Sequence, residues 1–232
     1  MTKIISDTGG SADDEVVRNH SGVDNAGRRP TPLETAMSGH IAKWHAEHAN
    51  YRKLLNLLQS ETERFVRGAR PDYELMSEVV FYMTQYPDLV HHPREDAAFR
   101  QLLARDQVAW RLVGELSREH QAISASSATL AADLDAAADG VPMLRATLDA
   151  DVRTYVALLT RHMDTEEREI FPRLAAQLDS RDWFLVNSAV HFAADPLFGE
   201  TVHERFKAIH RSIARHAGCR CPEPAGDLCC LE

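Results

Sequence analysis

Four stretches of this chain carry an apolar seam at 3-4 spacing, and each seam is broken at its centre by histidine or glutamate. The first reads Ile41, Trp44, His48, Tyr51, Leu55, Leu58, Thr62, Phe65 and stops at Gly68 and Pro71. The second starts from Asp72, a good N-cap, and carries Met76, Val79, Met83 and Tyr86. Pro87 and Pro93 interrupt it before it resumes as His91, Glu95, Ala98, Leu102. The third is Ala109, Val113, Leu116, His120, Ile123, Ser127, Leu130, Leu134, closed by Gly140. The fourth is expected to begin at Pro142, the favoured first helical position, and runs Leu148, Val152, Tyr155, Leu159, His162, Glu166, Ile170, with a kink at Pro172.

Four amphipathic helices with short connections predict an all-α fold, an up-down-up-down antiparallel four-helix bundle with two additional C-terminal helices. The boundaries read as a disordered segment over 1–34, the bundle over 35–180, a helical extension over 181–217 and a cysteine-containing tail over 218–232. In the extension, Trp183 to His191 and Thr201 to His216 read as helices around a turn at Asp195–Gly199. Trp183, Phe184 and Phe198 are expected to dock the pair onto a core, because short helices are marginal alone.

Polar residues at seam centres need an explanation, since a buried charge is expensive unless it is paired or bound to metal. His91 and Glu95, like His162 and Glu166, are four residues apart and share one helical face. His48 precedes His91 by 43 residues and His120 precedes His162 by 42, so the chain reads as a duplicated helical hairpin. Each hairpin supplies one lone histidine and one His-x-x-x-Glu pair. Joined about a pseudo-two-fold axis, they offer four imidazoles and two carboxylates, enough to bridge two cations with two histidines left for each. Imidazole and carboxylate without thiolate suit iron or manganese better than a structural zinc. The predicted metal ligands are His48, His91, Glu95, His120, His162 and Glu166. His45 is an alternative to His48, but Arg52 follows it at i+7 where Leu55 follows His48, so it is expected at the edge. His92 is an alternative to His91, pointing about 100° away on a regular helix, with the backbone before Pro93 open to distortion.

The pattern H…HxxxE…H…HxxxE, with His91-His92-Pro93-Arg94-Glu95-Asp96 and His162-Met163-Asp164-Thr165-Glu166-Glu167, resembles the hemerythrin-like (HHE cation-binding) family over about residues 38 to 178. The resemblance implies a non-haem di-iron centre held by those six residues and a small oxidant as ligand: dioxygen, nitric oxide or hydrogen peroxide. Hemerythrins proper place five histidines and two carboxylates on iron. Four histidines here imply that one ion keeps more open coordination, which favours peroxide or nitric oxide chemistry over reversible oxygen carriage. A non-enzymatic iron or redox sensor, or an iron-handling protein, is the alternative from another class. Tyr51, Tyr82 and Tyr155 are expected to pack around the site, and a phenol there has the chemistry to hydrogen-bond a bound oxidant. His191, His203, His210 and His216 share no clean seam and read as surface residues.

Composition sets the outer limits. The formal charge of -9 is wrong for a sequence-independent nucleic-acid binder, and no apolar run is long enough to span a bilayer. All four cysteines, Cys219, Cys221, Cys229 and Cys230, lie in the tail. Nothing staples the body of the fold, which points with the absence of a signal-like stretch to a reducing, cytoplasmic setting. The cysteine spacing is not that of a zinc site, and no phosphate-binding loop or nucleophile elbow appears. The sequence names no protein partner.

Overall fold

The computed structural model describes residues 32–190 and 193–216, and every regular element among them is helical. Residues 1–31 of the expected N-terminal segment, His191 and the cysteine tail lie outside the described residues, while residues 32–34, expected in that segment, already belong to the first helix. Helix α1 spans Pro32–Val66 and α2 spans Tyr73–Tyr86, continued through a turn of π-helix at Pro87–His91 into α3, His92–Arg105. Helix α4 spans Trp110–Ala138, and α5, Arg145–Thr165, continues through a second π turn at Glu166–Ile170 into α6, Phe171–Gln177. Two shorter helices follow, α7 at Ser180–Ala189 and α8 at Lys207–His216. No helix among them is long and apolar enough to cross a membrane.

Local chemistry accounts for most of the boundaries. Asp72 caps α2 by accepting from the Leu75 amide at 3.0 Å, and Gly68 and Gly140 end their helices with φ of 91° and 87°, which glycine adopts without strain. Asp179 and Asp182 form a capping box at the start of α7. Two expected helix starts are corrected: α5 begins at Arg145 rather than Pro142, which belongs to the connection, and α8 begins at Lys207 rather than Thr201, after a short 3-10 turn at Glu204–Phe206.

Both π turns end two residues before a proline. Pro93 and Pro172 lack an N–H and would press their rings on the carbonyls of Leu89 and Arg168 in a regular helix. The preceding turn is widened instead, with the His92 amide bonded to the Pro87 carbonyl and the Phe171 amide to the Glu166 carbonyl. The expected interruption and kink are therefore two inserted wide turns, a device common at functional sites.

The core is two apolar blocks separated by a polar layer. One block holds Tyr51, Leu55, Met76, Met83, Ile123, Leu130, Val152 and Leu159; the other holds Trp44, Ala98, Phe99, Leu102, Leu116, Phe171 and Leu174. Each of the four long helical stretches passes from one block to the other, and its histidine or glutamate lies where it crosses. The extension joins both blocks: Leu197, Phe206, Ile209 and Ile213 enter the first, Trp183 and Val186 the second. Trp183 is thus docked as expected, and Phe198 packs on Tyr82, but Phe184 is 68% exposed. It follows Trp183 by one residue on α7 and so faces about 100° away, toward solvent.

Candidate metal centre

All six residues anticipated from the seams meet in the polar layer, buried to 6% exposure or less. His48 Nε2 and His91 Nε2 lie 3.1 Å apart, and His91 Nε2 lies 3.1 Å from Glu95 Oε1. The other oxygen of Glu95 faces His120 Nε2 at 3.5 Å. Glu166 mirrors this: Oε1 is 3.1 Å from His162 Nε2 and 3.5 Å from His120 Nε2, while Oε2 is 3.5 Å from His48 Nε2. Each carboxylate thus turns one oxygen to each of two imidazole groups.

A seventh residue belongs with them. His92 groups with Glu95, His120 and His162, while His48, His91 and Glu95 form the second set. His92 adds a fifth imidazole to the layer, the number hemerythrins proper place on iron, so the more open coordination expected from four loses its support. The neighbouring residues His91 and His92 stand at i-4 and i-3 from Glu95, so both flank that carboxylate on one helical face at the edge of the wide turn. The spacing His92-x-x-Glu95 was the sequence signal for this. His45, by contrast, is 46% exposed, packs edge-on against Phe171 and lies 3.9 Å from Glu167, at the edge of the site as anticipated.

Every one of the five imidazoles has a carboxylate at Nδ1. Glu47 holds His91 at 2.7 Å, Glu119 holds His162 at 3.0 Å, Glu167 holds His48 at 3.0 Å, Asp96 holds His120 at 3.1 Å and Asp88 holds His92 at 3.3 Å. Such partners fix the ring orientation and leave Nε2 free for a cation. Four of them follow the duplication. Glu47 and Glu119 immediately precede the lone histidines, and Asp96 and Glu167 immediately follow the bridging glutamates. Each supports a histidine on a different helical stretch from its own. Outer groups then hold the carboxylates: Tyr86 donates to Glu47 at 2.9 Å, Arg52 to Glu167 at 2.8 Å, Arg161 to Glu119 at 3.2 Å, Ser117 to Asp96 at 3.0 Å and Ser127 to Asp88 at 2.9 Å.

The electrostatics are those of a layer built around positive charge. Burial works against a charged His91, but Glu95 and Glu47 outweigh it and hold the pKa up at about 10. His162 is raised to about 8 by Glu166 and Glu119 against the same burial. His48 and His120 are raised likewise, whereas burial and the neighbouring His120 and His91 drive His92 down, leaving it neutral. Burial alone would raise Glu95, yet the surrounding imidazoles hold it well below the usual range.

Both oxygens of Glu95, both of Glu166, and Nε2 of His120 and His162 are buried without a hydrogen-bond partner. Six polar atoms left without a hydrogen-bond partner converge on one layer of imidazoles and carboxylates, an arrangement that fits a bound cation. The hemerythrin HHE cation-binding domain matches residues 39–174 of the chain. The chain belongs to that family. Comparison with curated proteins and with solved structures gives no match. Hemerythrin domains bind metal, typically iron, and the His/Glu cluster of this chain fits that role.

Proposed function

We propose that this hemerythrin-like protein holds two non-haem iron ions and binds and turns over a small oxidant there, with manganese the alternative metal. His48 and His91 would hold the first ion and His92, His120 and His162 the second, with Glu95 and Glu166 available to both. The observation that carries this reading is the pair of central carboxylates, Glu95 and Glu166, whose four oxygens are buried, without a hydrogen-bond partner and directed to two imidazole sets. The scaffold reading is an antiparallel up-down-up-down bundle over 35–180 with the extension at 181–217. The order in which the stretches cross the two blocks supports it, since Trp44 precedes Tyr51, Met83 precedes Ala98, Leu116 precedes Ile123 and Leu159 precedes Leu174.

When bound, the iron pair supplies the electrons and the open coordination that an oxidant needs. The protein's own part is to orient the imidazoles, keep bulk water out and supply a proton donor. With two imidazoles against three, the first ion position has the fewer protein ligands. Tyr51 lies beside it, its ring 5.2 Å from that of His91, with a buried hydroxyl that has no partner. Burial pushes its pKa well above the ordinary tyrosine value, so the phenol stays protonated and donates a hydrogen bond to an oxidant at that position. The Arg52–Glu167–His48 and Arg161–Glu119–His162 chains link the imidazoles to the surface.

The test is metal analysis of protein purified without added metal, with its visible spectrum before and after dioxygen, nitric oxide and hydrogen peroxide. About two irons per chain and a charge-transfer band that responds to one of these ligands are expected. Zinc alone, or no metal, overturns the reading. Iron with a spectral response but no consumption of any oxidant would mark a sensor rather than an enzyme.

A further inference from the structure

The chain has three tryptophans, and two of them, Trp44 and Trp183, lie in line from the metal centre to the surface. Trp44 meets His91 edge-on with ring centroids 6.3 Å apart and meets Trp183 at 5.6 Å, also edge-on. Trp183 stacks on His40 at 4.7 Å with the rings 11° from parallel, and His40 is the first ring of the series that is partly exposed. Trp44 and Trp183 themselves are 1% and 3% exposed. Aromatic pairs in these arrangements are good packing, and they are also close electronic contacts. Trp183 adds a second observation: its indole N–H is buried and has no acceptor. An indole that loses an electron there has no neighbour to take its proton, so it stays a cation radical and is restored by simple return of an electron.

We propose that Trp44 and Trp183 form an electron route into the centre, fed at the His40 face by a one-electron reductant, during reduction of hydrogen peroxide. This rests on the iron reading above. Trp44 gives one electron inward, Trp183 gives one to Trp44, and the reductant gives one to Trp183. No bond forms or breaks in the protein. Two such passages supply the two electrons that, with two protons from solvent, convert hydrogen peroxide to two waters. Without a reductant the electron deficit remains on Trp183. Water then adds to the indole with loss of a second electron inward and two protons to solvent, leaving hydroxytryptophan.

Trp110, 68% exposed and outside this series, is the built-in control, because an oxidant arriving from solvent strikes it first. The experiment treats the full-length iron-loaded protein with hydrogen peroxide in the absence of reductant and maps oxygen addition by peptide mass spectrometry. Oxidation is expected at Trp183 and Trp44 ahead of Trp110. Iron-free protein should be oxidised at Trp110 alone. Trp44→Phe should lose oxidation at Trp183 and leave Trp110 unchanged; if that variant does not hold iron, Trp183→Phe should instead accumulate oxidation at Trp44. Oxidation of Trp110 first in the iron-loaded protein, or undiminished oxidation of Trp183 in Trp44→Phe with iron retained, overturns the route. Iron and peroxide are measured on the same samples. A protein that binds no iron fails the iron reading and the route together, whereas iron bound with peroxide untouched, or peroxide consumed with Trp44 and Trp183 intact, overturns the route alone.

Discussion

The crosswise carboxylates make a selective prediction about which ion is lost when one of them is neutralised. Glu47→Gln keeps the side-chain shape and a hydrogen-bonding oxygen for Tyr86, but removes the charge 2.7 Å from His91 Nδ1. Glu119→Gln does the same to His162, 3.0 Å away in the other half of the duplication. Loss of such a partner lowers metal affinity about 10- to 100-fold. The two sites should divide that range. Both acids have a cationic partner, Lys43 at 3.6 Å from Glu47 and Arg161 at 3.2 Å from Glu119, but the Glu47 side chain is 7% exposed and that of Glu119 25%, so solvent screens Glu119 more. We expect a loss near 100-fold for Glu47→Gln, about 2.7 kcal/mol, and near tenfold for Glu119→Gln, about 1.4 kcal/mol. The losses should also fall on different ions, the first position for Glu47 and the second for Glu119. Anaerobic ferrous titration against a competing chelator measures both. Equal weakening of both ions in both variants, or none in Glu47→Gln, would refute the crosswise assignment.

Glu95→Ala or Glu166→Ala should reduce iron from about two per chain to one or none, since each removes a ligand of both cations, while helical circular dichroism survives because the apolar blocks are untouched. His92→Ala should weaken the second ion and His45→Ala neither; iron loss from the His45 variant with full retention in the His92 variant would invert the assignment. In iron-free protein, His91 at about 10 and His162 at about 8 lie above their unfolded value of about 6.5. Their stabilisation is complete below pH 6.5 and lost as pH rises through those values, about 2 kcal/mol for His162 alone. Melting temperature should therefore fall from pH 7 to 10 without iron and stay level with it, and a flat iron-free profile would count against this. Trp183→Ala should destabilise by about 3–5 kcal/mol and Phe184→Ala by less than about 0.5, read by chemical denaturation, because only the first is buried.

What was legible in the sequence was whatever a single helix determines. The seams, the Asp72 cap, the glycines that end α1 and α4, and the two His-x-x-x-Glu pairs are local, and the structure has them in those places. His92 escaped because a regular helix turns its neighbour's direction away by about 100°, whereas the π turn before Pro93 and the i-3 relation to Glu95 bring both imidazoles to one carboxylate. The supporting acids escaped for a different reason. Glu47, Asp96, Glu119 and Glu167 act across helices, which seam reading does not see. Yet the chain does repeat an acid before each lone histidine and another after each bridging glutamate, and that pattern was available. Pro142 misled because a favoured first helical residue is equally at home in the turn before a helix.

The division of the core explains how such a layer is tolerated. Two buried carboxylates facing each other across five imidazoles cost more in desolvation than they return without a cation or protons between them. A protein that relied on this layer for stability would unfold whenever the layer emptied. Here each long helical stretch is anchored on both sides of it, Trp44 and Tyr51 around His48, Val90 and Ala98 around Glu95, Leu116 and Ile123 around His120, Leu159 and Ile170 around His162. The extension reinforces both blocks, α7 through Trp183 and Val186 and α8 through Ile209 and Ile213. The blocks carry the fold, and the imidazoles with raised pKa supply protons where a cation is missing. Folding is thereby separated from the filling of the layer: the two blocks hold the helices in place whether a cation or protons balance the carboxylates.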